Sequence, residues 1–188
     1  MTLPYVADLH NHTTASDGEY SPTELVQAGK DLGLQAIGVT DHDTLNGLDE
    51  ALAAGEQLGI RVVPGVEVSL RFRRPYFTGT LHYLLYIPYN LLHDGDFRQM
   101  ATDIFSQGRG GGLVRARVQA INAEFGPNGS QPLLHRALMA EWAKKYNLMT
   151  GGGSDCHDRV DRPLGVAGVS QAELDTLLAR LHQPEASR

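Results

Sequence analysis

The chain has 188 residues, 41% of them hydrophobic and 20% charged, which suits one ordinary globular core and excludes disordered and membrane-embedded classes. A formal charge of −6 argues against a long nucleic-acid track, because such tracks need a basic face. No apolar run approaches a bilayer span, "MTLPYVADLH" lacks a basic-then-apolar leader, and the lone Cys156 rules out an internal disulfide framework; a cytoplasmic place is expected.

In chain order, "YVADLH" (5–10) reads as a buried strand that delivers His10 at its end. "SPTELVQAGKDLGL" then has Ser before Pro, apolar residues at helical spacing and a closing Gly33, the start and stop signals of a helix. "QAIGVTDH" (35–42) is a second strand, "LDEALAAGEQLG" (48–59) a second helix, and "IRVVPGVEVS" (60–69) a third strand ending near Glu67. This β-α-β-α-β order with short links predicts parallel strands, wound as a barrel or a doubly wound sheet. "TLHYLLYIPY" (80–89) is a fourth strand carrying His82, and its apolar surface offers a face for a second copy of the chain.

From Gly95 to about Phe125 the pattern is helical, broken by "GRGGG" (108–112); "GPNGSQP" (126–132) is a turn-rich connector. "LLHRALMAEWAKKYNL" predicts an amphipathic helix, and "MTGGGSDCH" a short strand entering a glycine-rich turn. "SQAELDTLLARLH" (170–182) is a terminal helix with Ser170 and Glu173 as a capping box. No repeat or linker divides the chain, so 1–188 is expected to be one domain.

Metal-ligand residue types recur where strands end: His10 and His12, Asp41 and His42, Glu67, His82, then Asp155 and His157. In parallel α/β folds those ends gather on one face, where active sites are built. Residues two apart in an extended strand point the same way, so His10 and His12 can reach one cation together, and Asp155 and His157 repeat that spacing. Imidazole nitrogens and carboxylate oxygens suit manganese, zinc or iron.

The motifs "DLHNHTTASDG", "GVTDHDT", "PGVEVS", His82 on the following strand and "GGSDCH" together resemble the PHP (polymerase and histidinol phosphatase) family of metal-dependent phosphoesterases, its stand-alone small-molecule type. The resemblance implies a distorted, here shortened, (β/α) barrel with its metals at the C-terminal ends of the strands. It assigns His10, His12, Glu67 and Asp155 to one ion, lets Glu67 bridge to a second ion that also holds His82, and gives Asp17, His42 and His157 to a third. Two or three divalent ions, manganese first, are expected. The implied activity is hydrolysis of phosphomonoesters of nucleotides or small metabolites by a metal-bridged hydroxide, with Glu67, Asp155 and His157 as catalytic residues. Asp8 and Asp41 are expected to fix imidazole tautomers, and Asp43 to cap the next helix.

One departure stands out. Relatives of this type carry an inserted cap and then a strand ending in His-Pro; here the cap is expected to be absent near 126–132, and no His-Pro occurs. The second ion therefore lacks a ligand, and His93 and His135, in a loop and a helix, are poor substitutes. Arg109 and Arg162 are the arginines expected at the substrate phosphate. The competing readings are a metal-binding interaction module without catalysis and an amidohydrolase-type enzyme; the latter needs a lysine at a strand end, whereas Lys30, Lys144 and Lys145 fall in helices.

Overall fold

The computed structural model describes residues 4–74, 77–107, 144–145 and 151–182. Strands β1 (Ala7–Asp8), β2 (Ala36–Val39), β3 (Arg61–Arg74) and β4 (Phe77–Tyr86) form one sheet in that order. Helix α1 (Pro22–Asp31) links β1 to β2, and α2 (Leu48–Leu58) links β2 to β3; both of these strand pairs are parallel. A 3-10 turn (Tyr89–His93), α3 (Gly95–Gln107) and α4 (Gln171–Leu181) follow. Contacts divide the chain into two compact units, Met1–Val68 with Tyr83–Gln107 and Gly151–Arg188, and Ser69–His82 with Gly108–Thr150.

The helices start and stop where the sequence says they should. Ser21 accepts from Glu24 N–H while the Glu24 carboxylate accepts from Ser21 N–H, and Pro22 occupies the first turn. The same box, built from Ser170 and Glu173, opens α4. Both carboxyls titrate below the ordinary range because capping N–H groups favour their ionised form. Strand β2 is buried on both faces, as expected of a parallel strand between helices. Leu25 and Val26 of α1, Ile37 of β2 and Leu48 and Ala51 of α2 meet in the core of the first unit. Each large apolar side chain buried there contributes about 1.5–3 kcal/mol.

Two expectations change. The third strand does not end near Glu67: it runs on to Arg74, because β4 follows after two residues, too few for a parallel crossover, and pairs with it as a hairpin. The first strand is only two residues long, since Leu9 onward bonds to another part of the chain. Residues 151–155 are irregular, as the glycine-rich turn expected there would be, and Gly152 and Cys156 bond along the β1 segment, through Leu9 N–H to Gly152 O (3.4 Å) and His12 N–H to Cys156 O (2.9 Å). Among the described residues the sheet is thus open, a partial and shortened barrel. The expected cap deletion, His135 and most of the "LLHRALMAEWAKKYNL" helix lie outside the described residues, although Lys144 and Lys145 are helical.

Candidate metal centre

Past β1 the chain stays extended, so His10 and His12 face one way and Asn11 the other. Asn11 is fully buried; its amide nitrogen donates to Asp8 O (3.2 Å) and Gly38 O (3.0 Å), and its oxygen accepts from Ser154 Oγ (3.1 Å). The intervening residue thus locks the two histidines to β2 and to the loop that carries Asp155. Asn11 and Ser154 escaped the sequence reading; the one available signal was that a polar residue between two ligands must itself be satisfied inside. His42 follows β2 and bridges in parallel to Glu67 within β3, with Glu67 N–H donating to Thr40 O (3.1 Å).

The Asp155 loop needs close approach and an unusual backbone. A Cβ on Gly153 would stand 2.3 Å from His10 N, so no other residue lets the loop pass there. Asp155 itself has φ of 55°, in the left-handed region, which turns its carboxylate toward the histidines.

Four donor atoms converge. His10 Nε2 lies 2.8 Å from Glu67 Oε2, 3.3 Å from Asp155 Oδ1 and 3.2 Å from His12 Nε2; His12 Nε2 lies 3.0 Å from Glu67 Oε2 and 3.3 Å from Asp155 Oδ1. These are five of the six edges of a tetrahedron. Donors bound about 2.0–2.1 Å from a tetrahedral ion stand about 3.3 Å apart, so the spacing is that of a ligand set. His12 and Glu67 are buried and Asp155 is half exposed, leaving one side open.

A second group brings Asp17, His42 and His157 together beside the same His12. His157 Nε2 is 3.4 Å and His12 Nδ1 3.5 Å from Asp17 Oδ1, His42 Nε2 is 3.9 Å from Asp17 Oδ2, and the His12 and His157 rings stack at 3.9 Å. These four side chains have ligand atoms close enough to share an ion. His12, expected only in the first set, therefore borders both. Its Nδ1 is buried and makes no hydrogen bond, with Asp17 Oδ1 at 3.5 Å the carboxylate oxygen it faces. His157 Nδ1 donates to Asp155 O at 2.8 Å, which fixes the tautomer and leaves Nε2 to face Asp17. The donor chemistry and spacing fit divalent metal.

Asp8 and Asp41 do not fix imidazoles. Asp8 accepts from the backbone N–H groups of Ser154 (2.9 Å), Gly165 (3.0 Å) and His10 (3.4 Å), so it ties two loops to β1. Burial raises its carboxyl above the ordinary value, and those hydrogen bonds pull the other way. Asp41 accepts from Thr13 N–H (2.7 Å), Thr13 Oγ1 (2.8 Å) and Ser16 Oγ (2.6 Å), and so shapes the loop leading to Asp17. Asp43 does not cap α2, whose cap residue is Gly47; its N–H donates to Glu67 O (3.1 Å) with φ of 48°.

Arg162 sits at the rim, Nη1 3.5 Å from the outer oxygen of Asp155. His82 lies on β4 in the second unit, and Arg109 lies outside the described residues. His93 lines a separate cavity with Tyr89 and His182, by Arg61 at the start of β3. The Cys156 thiol is buried and pushed up to about 12 by burial and then by the charges of Asp8, Asp158 and Asp155.

Residues 8–159 match the family model described as PHP domain. A 5'-3' exoribonuclease of Haemophilus influenzae is 49% identical over 69 residues, 37% of this chain and 24% of that protein. A 3',5'-nucleoside bisphosphate phosphatase of Chromobacterium violaceum is 42% identical over 67 residues, 36% of this chain and 24% of that protein. The matched stretches span about a quarter of these relatives' length. Among solved structures, a candidate metal-dependent phosphoesterase from Bifidobacterium adolescentis superposes with a TM-score of 0.61 at 16% identity over 100% of both chains. An amidohydrolase from Chromobacterium violaceum with bound sulfate and no metal does so with a TM-score of 0.58 at 19% identity, over 93% of this chain and 96% of that one. At such identities the structural likeness speaks to the fold.

Proposed function

This chain belongs to the PHP domain family, and from that premise we propose that it is a metal-dependent hydrolase of phosphomonoesters of nucleotides or small metabolites. The observation that carries the reading is the tetrahedral spacing of His10, His12, Glu67 and Asp155. The names of relatives acting on phosphate esters support it. The family model also runs through residues of both units, which supports reading 1–188 as one domain.

In this reading one divalent ion is held by those four residues and another by Asp17, His42 and His157 beside His12. His82, on the sequence pattern alone, is kept as ligand of a further ion whose set lacks the His-Pro histidine. Manganese is the first choice of metal. Divalent cations at such donors lower the pKa of bound water toward neutrality and neutralise phosphoryl charge. The chain's own groups do the rest. Buried Glu67 holds the donor set together, Asp155 closes it from the open side, and His157 keeps its Nδ1 proton on Asp155 O and turns Nε2 inward. Arg162, at the outer oxygen of Asp155, is set to meet a phosphoryl oxygen with its planar fork, and Arg109 is retained as a second phosphate contact from sequence. An amidohydrolase reading gains no lysine: Lys30 Nζ donates to Leu58 O, at the end of α2.

Metal analysis of the purified protein, paired with manganese-stimulated phosphate release from a panel of phosphoesters, tests the proposal. Bound metal with turnover is expected; bound metal without turnover across manganese, zinc and iron favours the interaction module. His10→Ala and Glu67→Ala should each lose bound metal and at least about a hundredfold in turnover, since even partners behind ligands are worth about 10–100-fold. His93→Ala should leave turnover near normal. Full turnover in Glu67→Ala would refute its place at the centre.

A further inference from the structure

Resting on the phosphoesterase reading, we propose that Arg159, laid over the ring of Tyr20, is a stacking shelf for the base of a mononucleotide whose phosphate is held at the metal centre. The Arg159 Cζ lies 4.5 Å from the centroid of the Tyr20 ring. One edge of the guanidinium meets Glu24, with Nη2 3.8 Å from Oε1, while the other Glu24 oxygen is committed to the α1 capping box. The guanidinium is thus held between a ring and a carboxylate, yet the side chain is 56% exposed.

The position suits a substrate anchored at the ions. Arg159 is two residues from His157, and Tyr20 three residues from Asp17. Glu19 N–H donates to His157 O at 2.7 Å and Thr14 N–H to Tyr20 O at 2.8 Å, so the shelf is pinned to the backbone that carries the second ligand group. Two residues reach at most about 7 Å, comparable with the ribose that separates a 5′-phosphate from its base. A guanidinium plane accepts a flat heteroaromatic ring on its face, and a base gains from this whatever its sequence identity. A sugar phosphate without a base gains nothing. Arg159 is therefore a specificity residue, distinct from Arg162, whose place beside Asp155 suits the phosphate.

The test is calorimetric binding to manganese-loaded protein of two phosphonates whose P–C bond is not cleaved, one of adenosine and one of ribose. The adenosine phosphonate should bind about 5- to 100-fold tighter, the range of one stacked base. Arg159→Ala should remove that ratio and leave ribose phosphonate affinity unchanged. Arg159→Lys keeps the charge but not the plane, and should remove it too. If the ratio survives in Arg159→Ala, or Lys restores it, the shelf is overturned while the phosphoesterase reading stands. If the variant weakens both ligands equally, the arginine serves the phosphate and the shelf is again overturned. If neither phosphonate binds the loaded wild type, both readings fall. A 5′-phosphorylated tetranucleotide competing tenfold better than the mononucleotide would overturn the assignment to free nucleotides.

Discussion

Asp8 touches no cation site directly, yet its carboxylate gathers three backbone N–H groups from β1's extension, the Asp155 loop and the turn at Gly165. Removing an acceptor from a buried donor costs about 1–3 kcal/mol, so Asp8→Ala should destabilise by a few times that unit. Because burial raises its folded-state pKa above 3.8, the folded chain binds this proton more tightly than the unfolded chain. Its contribution is therefore fully present below 3.8 and is lost as pH rises through the raised value. In metal-free protein, the stability of wild type relative to Asp8→Asn should fall across that window in urea titrations; a rise would contradict the desolvated carboxyl. Cys156 offers a simpler check. Iodoacetamide should leave it unmodified in the folded chain and alkylate it fully in guanidinium. That His10, His12, Glu67 and Asp155 gather was legible at this scale, because histidines and carboxylates recur where the strands end. The partners of Asp8 were not, since Ser154 and Gly165 lie about 150 positions away and their backbone N–H groups carry no mark in the sequence; Thr13 and Ser16, which bond to Asp41, meet it only through the fold.

At the scale of elements, the caps, the two crossover helices and the parallel order of β1 to β3 were readable, because each depends on residues within one turn or one period. The length of β3 was not. Its extension past Glu67 depends on a hairpin partner that only the tertiary fold supplies, which puts Glu67 inside a strand and not at its end. In the Asp155 loop the glycine serves close approach to His10. Gly153→Ala should therefore push the loop off His10 and weaken metal binding by about tenfold or more while leaving the helical circular dichroism unchanged, read by metal titration. Unchanged affinity would mean the loop adjusts without moving Asp155.

For the whole chain, three carboxylates crowd one region of a molecule already carrying a formal charge of −6. A cation bound there stabilises only the folded form, by about 2.7 kcal/mol at a hundred times its dissociation constant. In a domain of this size that is a rise of roughly 5–10 °C in melting temperature. Dialysis against a chelator should lower the midpoint by that amount, and manganese should restore it. The stabilisation should survive in His93→Ala and be reduced in Glu67→Ala.

The left-handed turn at Asp155 has a consequence for anyone hoping to retune this chain toward a softer ion. On the reading proposed above, exchanging the carboxylate for a thiolate would alter the donor at a position whose left-handed backbone aspartate adopts more readily than cysteine. Bulky or branched replacements resist that twist, and asparagine, which tolerates it, brings no charge. Asp155 is thereby held in place by the handedness of its backbone as much as by the chemistry of its side chain.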